Sequence, residues 1–269
     1  MIDRYAVIGN PVAHSKSPEI HAAFAHALGE DIEYGRLVAT PADFRPAADR
    51  FRQEGGKGLN ITVPCKEEAF RYAAVLSDRA RGAEAVNTLR FDAGQVFGDN
   101  TDGVGLIRDI TRNLDVGLAG KRVLLLGAGG AARGVLGPLL AERPASLAIA
   151  NRTQAKAQAL ASQFGGGASA IALAALEGCS FDVVINATSA SLADLLPPIP
   201  RGIFASHGLA YDMVYGRGDT PFLARARAEG VGRVADGSGM LIEQAAESYF
   251  VWRGVRPPVE AGFSALHQR

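Results

Sequence analysis

The chain has 269 residues, long enough for two α/β units that each bury a core. Its 28 basic and 28 acidic residues cancel, so no electrostatic footprint points to nucleic acid or an anionic membrane surface. Hydrophobic residues make up 48%, and no apolar run approaches the ~20 residues of a bilayer-spanning helix, so neither a disordered chain nor a helical membrane protein is expected.

In chain order, residues 5–9 have the pattern of a strand, 18–28 of a helix, 32–39 of a strand and 42–53 of a helix. Another strand is expected over 59–63, and a helix over 66–72 after the break at Pro64. Residues 87–91 and 95–98 resemble the arms of a hairpin around Asp92-Ala93-Gly94. A helix over 103–114 bridges to a second unit. There the rhythm becomes β-α-β-α: 122–126, 131–141, 147–150, 154–164 and 181–185, the pattern of a parallel, doubly wound sheet. Helices over 221–229 and 239–253 follow, and the last is long enough to return to the first unit. The opening residues, Met1 to Tyr5, lack a basic segment followed by a long apolar run, so no secretory signal is expected. Cys65 and Cys179 fall in different expected units, which suggests a reduced, cytoplasmic protein.

The loop Gly127-Ala128-Gly129-Gly130-Ala131-Ala132 follows one expected strand and opens a helix. In a Rossmann unit the first glycine permits a tight turn and the second lets the backbone approach a pyrophosphate. The third position, here Ala132, allows close helix–strand packing. Free N–H groups at the helix start then face the phosphates. The second strand ends at Asn151-Arg152-Thr153, where a site preferring NAD would usually carry Asp or Glu. Arg152 offers a planar fork for a 2′-phosphate, and Lys156 adds charge, so NADP(H) is the expected cofactor. Thr153 would also serve as a cap for the next helix.

Upstream, three polar segments bracket the expected strands. On a strand, Asn60 and Thr62 share one face, with Lys66 just past its end; a solvated strand face with a surface lysine fits the same pattern. Asp102 stands at the start of the bridging helix, where N-capping alone would account for Asn100, Thr101 or Asp102. A carboxylate beside Lys66 would orient the ammonium, and the pair could exchange a proton with a substrate hydroxyl during hydride transfer. Ser17 before Pro18 suits a helix N-cap first, and a helix start with nearby hydroxyls such as Ser15 would also suit a substrate carboxylate.

Taken together, these segments resemble shikimate dehydrogenases. The resemblance rests on His14-Ser15-Lys16-Ser17-Pro18, Asn60 through Lys66, Ala85-Val86-Asn87-Thr88, Gly98 through Gly103, the Gly127 loop and Asn151-Arg152-Thr153. It continues through Asn186-Ala187-Thr188-Ser189, Tyr211 through Tyr215, and Asp236 through Met240. It implies an N-terminal α/β substrate domain over residues 1–102 and a Rossmann-like NADP domain over 103–236. A helical segment over 237–269 would return to the substrate domain, and an interdomain cleft would hold the active site. The implied reaction is NADPH-dependent reduction of 3-dehydroshikimate to shikimate, a step toward chorismate and the aromatic amino acids. The assembly would be a monomer or homodimer, with neither metal nor nucleic acid.

By the same resemblance Lys66 and Asp102 are catalytic, and Ser15 and Ser17 bind the substrate carboxylate. Asn60, Thr62, Lys66, Asn87, Asp102, Tyr215 and Gln244 would surround the ring hydroxyls. Gly127, Ala128, Gly129, Gly130, Ala131, Asn151, Arg152, Thr153, Lys156, Met213 and Gly237 would hold the cofactor. From periodicity alone, Gln244 fits a solvent-facing position as well. The sequence departs from the family pattern at Cys65, commonly phenylalanine, at Lys156, commonly arginine, and at Ala190-Ser191. Other readings are a quinate/shikimate dehydrogenase of broader specificity and a non-catalytic NADP-binding regulator.

Overall fold

A computed structural model of the chain describes residues 2–92, 94–216 and 218–267; Ala93, at the expected hairpin turn, lies outside them. The chain divides into two compact units, Met1–Gly105 with Leu241–Arg269, and Leu106–Met240.

The first unit opens with β1 (Asp3–Gly9), α1 (Ser17–Leu28), β2 (Ile32–Val38), α2 (Phe44–Gln53), β3 (Gly56–Ile61) and α3 (Lys66–Tyr72). Then come β4 (Val75–Leu76), α4 (Asp78–Ala83), β5 (Thr88–Phe91) and β6 (Val96–Asp99). The strands form one mixed sheet in the order β2-β1-β3-β5-β6-β4. β1 lies between parallel neighbours and is buried from Tyr5 to Gly9, whereas β2 is an edge strand with alternating exposure. β5 runs antiparallel to both β3 and β6. Residue 88 therefore begins its strand on the rim where β1, β3 and β6 end.

The bridging helix α5 spans Asp102–Arg108 and continues as a π-helical turn over Asp109–Asn113. The sequence suggests one uninterrupted helix here. The difference has a local cause: the Asp109 carboxylate turns inward, accepting from Tyr211 Oη at 2.6 Å and Asn113 Nδ2 at 3.0 Å. The backbone opens to accommodate it, with Leu114 N–H bonded to Asp109 C=O at 2.9 Å.

The second unit contains β7 (Arg122–Leu126), α6 (Gly130–Ala141), β8 (Ser146–Ala150), α7 (Gln154–Gln163), β9 (Ser169–Ile171) and β10 (Phe181–Asn186). It continues with β11 (Phe204–Asp212), α8 (Pro221–Ala228), β12 (Arg233–Ala235) and the start of α9 (Ser238–Arg253). Its six strands are all parallel, in the order β12-β11-β10-β7-β8-β9, so the strand order reverses at β7 and β10. Alternate residues feed two separate cores. Val123 and Leu125 join Val135, Ile149 and Ile185 on one face, while Leu124 and Leu126 join Val184, Ala210 and Phe222 on the other.

β11 is not evident in the sequence. Its first half, Phe204 through His207, carries polar residues, and only Gly208 through Asp212 is continuously buried. The chain re-enters the first unit at Leu241, within α9, and ends in α10 (Val259–His267). Ile242, Ala245, Ala246 and Tyr249 of α9 pack with Ile20 and Phe24 of α1. Among the described residues, no helix is long and apolar enough to cross a membrane.

α9 is also pinned to the sheet by Trp252. Its indole stacks on Tyr5 with ring centroids 4.6 Å apart, and its Nε1–H donates to Leu89 C=O at 2.8 Å. Gly58 leaves the space for that ring: a Cβ there would lie 2.7 Å from the Leu89 carbonyl oxygen and collide with the indole. Gly58→Ala should therefore lose about 1–3 kcal/mol of stability, read as a lower midpoint in denaturant unfolding.

Candidate active site and cofactor loop

Registry in the first sheet assembles the polar residues on one rim. Asn60 pairs with Thr88, and Thr88 with Asp99, so Asn87 and the Asn100-Thr101-Asp102 segment lie just beyond one row of backbone. Asn87 is clamped there, its N–H donating to Asp99 C=O at 3.0 Å and its C=O accepting from Ile61 N–H at 2.8 Å. Asn100 Oδ1 accepts the Asp102 N–H at 3.2 Å, which serves the helix start. The Asp102 carboxylate is consequently not spent on capping. Its Oδ2 accepts from Lys66 Nζ at 2.5 Å, and its Oδ1 from Asn87 Nδ2 at 2.8 Å. Lys66, first residue of α3, is only 26% exposed at its side chain and Asp102 10%, so this is a sheltered ion pair and not a surface one.

Asn87 governs that pair. Its Oδ1 accepts the backbone N–H of Thr101 at 2.8 Å, a group that can only donate, so Nδ2 must face Asp102. Gln244, on α9, accepts from Asn87 Nδ2 and Thr101 Oγ1 at 3.4 Å each, and donates to Leu241 C=O at 2.9 Å. It is half-buried beside the pair, and the alternative of a solvent-facing glutamine is discarded. Thr62 follows β3 and is half-buried, its N–H bonded to Ile8 C=O at 2.9 Å.

The expected Ser17 cap does not form. α1 begins at Ser17 itself, and the buried Ser15 Oγ accepts the Ser17 N–H at 3.3 Å while donating to Ser17 Oγ at 3.2 Å. A serine two residues upstream closes this turn more readily than Ser17 could close its own. Arg36 holds the segment, donating to Ser15 C=O at 2.7 Å and pairing with Glu19 at 3.1 Å.

Asn60 is buried and occupied on both sides. Its Oδ1 lies 2.7 Å from Tyr34 Oη and 3.1 Å from His21 Nε2, and its Nδ2 donates to Ser248 Oγ at 3.0 Å and Asn87 C=O at 3.3 Å. Burial pushes His21 down to about 3 and raises Tyr34, so both side chains are neutral at physiological pH. Thr88 Oγ1 donates to Asn87 Oδ1 at 2.9 Å and sits 2.7 Å from Ser248 Oγ. His21, Tyr34, Thr88, Thr101 and Ser248 are thus site residues that sequence reasoning missed. Thr88 and Thr101 stood inside motifs already quoted. Ser248 lies on the same α9 face as Gln244, one turn later, and that spacing was the available signal.

In the second unit the strand ends share one row. Leu126 pairs with Ala150 and Asn186, and Asn186 with Asp212. The segments that follow therefore emerge together at the carboxyl edge, at the reversal of strand order, where open α/β sheets bind ligands. Gly127 has φ +109°, and a Cβ on it would lie 3.1 Å from the Ala187 carbonyl. Ala128 packs partly on the core, Gly129, Gly130 and Ala131 are exposed, and Ala132, in the first turn of α6, is fully buried. Added Cβ atoms on Gly129 and Gly130 would meet nothing within 4 Å, which leaves room for a ligand against the backbone.

Asn151 Nδ2 donates to Thr153 C=O at 2.9 Å, shaping the turn. Thr153 occupies the N-cap position of α7, but its side chain makes no capping bond, contrary to the capping role considered for it. Arg152, Thr153 and Lys156 are exposed, and among the described residues neither cation pairs with a carboxylate. Met213 N–H donates to Asn186 C=O at 3.0 Å, and Gly237 approaches the Met213 carbonyl too closely for any Cβ. Tyr215 is half-buried and belongs to this second unit, whereas the other residues expected around the substrate ring belong to the first.

Three family models match the chain in order. The substrate binding domain of shikimate dehydrogenase matches residues 7–89, shikimate / quinate 5-dehydrogenase matches 109–195, and the C-terminal domain of shikimate 5′-dehydrogenase matches 237–262. The shikimate dehydrogenase (NADP(+)) of Chromobacterium violaceum is 61% identical over 259 residues, covering 96% of this chain and 95% of that one. Among solved structures, an Ael1 enzyme from Pseudomonas putida superposes with a TM-score of 0.93 at 51% identity, covering 98% of each chain. Shikimate 5-dehydrogenase from Thermus thermophilus, in complex with NADP(H) and shikimate, gives 0.89 at 32% identity, again covering 98% of each chain.

Cys65 adjoins Lys66 but is fully buried, its thiol donating to Ala39 C=O at 3.3 Å. Burial, then Glu68 and Asp43, push that thiol up, which removes nucleophilic thiolate. Cys179 is half-exposed. Titration of the folded chain with a chromogenic disulfide should label Cys179 alone, with Cys65 reacting only after denaturation. Rapid labelling of Cys65 in the folded state would overturn the buried assignment.

Proposed function

Since the chain belongs to the shikimate dehydrogenase family, we propose that its Lys66–Asp102 pair handles the proton in NADP-dependent reduction of 3-dehydroshikimate to shikimate. The enzyme is an oxidoreductase, and its cofactor is NADP(H). The observation that carries the residue assignment is the 2.5 Å contact between Lys66 Nζ and a carboxylate whose other oxygen is held by Asn87.

The residues of the second unit fit the cofactor. The Gly127 turn and the exposed backbone of Gly129 and Gly130 suit a pyrophosphate, and Arg152 with Lys156 suits a 2′-phosphate. Asn151 and Thr153 border the same turn, and Met213 and Gly237 line the same carboxyl edge. When bound, NADPH supplies the hydride that reduces the substrate carbonyl carbon. Lys66 donates a proton to the carbonyl oxygen as negative charge develops there, and Asp102 keeps the ammonium aimed at that oxygen. In the oxidative direction, Lys66 in its transiently neutral form accepts the hydroxyl proton. Ser15 and Ser17 hold the substrate carboxylate through hydroxyls and the start of α1. Asn60, Thr62, Asn87, Gln244 and Tyr215 contact the ring. A cytoplasmic setting suits the two free thiols, and the assembly is a monomer or homodimer.

Lys66→Ala should lower kcat by about 10²–10⁴-fold, the usual span for losing a general acid or base, while calorimetry finds NADPH affinity unchanged. Full turnover in that variant would refute the proton-transfer role. Arg152→Asp should raise the KM for NADP+ by at least about tenfold and improve use of NAD+, because a carboxylate repels a 2′-phosphate and suits a 2′-hydroxyl. Paired rates with shikimate and quinate should favour shikimate. Equal kcat/KM for the two would instead establish the broader specificity.

A further inference from the structure

Arg79 stands where a cation does nothing for its own helix. α4 begins at Asp78, its N-cap is Ser77, and Ser77 Oγ accepts the Ala80 N–H at 3.1 Å. A positive charge in that first turn opposes the helix dipole. The guanidinium turns instead to two buried carboxylates on other elements. It grips Asp99 side-on, Nε donating to Oδ1 at 3.1 Å and Nη2 to Oδ2, while Nη1 donates to Glu247 Oε1 at 2.9 Å.

Both supports of Asp102 hang from Asp99. The Asp99 carbonyl oxygen accepts the Asn87 N–H at 3.0 Å, and its Oδ1 accepts the Asn100 N–H at 2.7 Å. Asn100 Nδ2 donates to Ala85 C=O at 3.1 Å, which turns Asn100 Oδ1 toward the Asp102 N–H. Asp99 is only 2% exposed, so its charge needs a cation beside it; the Ser77 hydroxyl adds a neutral donor. At the other end of the fork, Glu247 lies on α9, three residues after Gln244 and next to Ser248. Its Oε2 accepts from Arg256 Nη1 at 2.7 Å, and Arg256 Nη2 continues to Glu243. A single guanidinium thus ties the turn that carries Asp102 to the helix that carries Gln244.

We propose that Arg79 is a positioning residue for the reaction: its planar fork fixes the Asp99–Asp102 turn and α9 at one separation, so that the Lys66–Asp102 pair and Gln244 meet the same substrate. Arg79 needs no contact with the substrate to do this. Lysine is not an equivalent, because an ammonium is a point charge that cannot match Asp99 side-on and reach Glu247 at once. The inference rests on the roles proposed above for Lys66, Asp102 and Gln244.

Arg79→Lys keeps a charge between the two carboxylates and removes the fork, so it should fold, with circular dichroism and thermal midpoint close to the parent. Its kcat for shikimate oxidation should fall about tenfold, because small displacements of reacting groups are costly. Its KM for shikimate should rise about threefold, while calorimetric NADPH affinity stays within about twofold. The cofactor is insulated because the residues assigned to it belong to the second unit. Arg79→Gln should be impaired at least as much; if it does not fold, Arg79→Lys alone decides. A merely structural arginine would lower the yield of folded enzyme without changing the KM of what remains. Parental kcat and KM in Arg79→Lys therefore overturn the proposal, as does a loss of NADPH affinity matching the rise in KM. Failure of the parent to oxidise shikimate, or retained turnover in Lys66→Ala, bears instead on the reaction and its proton carrier.

Discussion

One backbone N–H sets the polarity of the candidate catalytic centre. Thr101 N–H donates to Asn87 Oδ1, and that choice turns the Asn87 amino group toward Asp102. A carboxylate held on one oxygen keeps the other for Lys66, so the ammonium is placed by a chain that begins in the main chain. Side-chain networks of this kind are costly when half-satisfied and rigid when complete. This one closes through Thr88, Ser248 and Gln244, all of which are bonded in turn.

The constraint works because both sheets deliver their functional segments to strand ends. In the second unit all strands are parallel, and the row Leu126, Ala150, Asn186 and Asp212 is enough to bring four loops to one edge. The first unit achieves the same with a mixed sheet. β5 runs antiparallel to its neighbours, so Asn87 precedes its strand while Thr62 and Asp102 follow theirs. Had β5 been parallel, Asn87 would stand at the opposite edge and Asp102 would lose its second support.

Local signals made much of this legible. The glycine loop, the alternating apolar runs and the breaks at Pro64 and Pro18 place most helices and strands within one or two residues. β11 escaped because Ser206-His207-Gly208 interrupts its apolar pattern, and the π-turn escaped because Asp109 finds its partner Tyr211 about a hundred residues away in sequence. A Lys66–Asp102 pair was conceivable from the residue types, but spacing alone also fits a solvated lysine and an N-cap, and the family resemblance singled the pair out. Capping itself was misjudged at two serine/threonine positions. In both, a neighbouring side chain reshapes the turn: Ser15 at the first and Asn151 at the second. The wall formed by His21, Tyr34 and Ser248 could not be read from the chain, because each residue is unremarkable in its own element and gains its role from a partner on another.

The departures from the family pattern bear on the same question of how donors are arranged. Ala190-Ser191, one of those departures, lies just after β10. The structure shows Ser191 fully buried, donating to Asp212 Oδ2 at 2.6 Å and accepting from Asn186 Nδ2 at 3.1 Å. Asp212 is itself fully buried, and it accepts from the hydroxyls of Ser191 and Thr220 and from the N–H of Val214. A buried carboxylate of this kind depends on each of its donors, since an uncompensated charge in the interior costs several kcal/mol or more. The serine therefore does not loosen the loop. It fastens the ends of β10 and β11 to each other, directly beneath the segment that carries Met213, and supplies a tether that glycine at the same position could not provide.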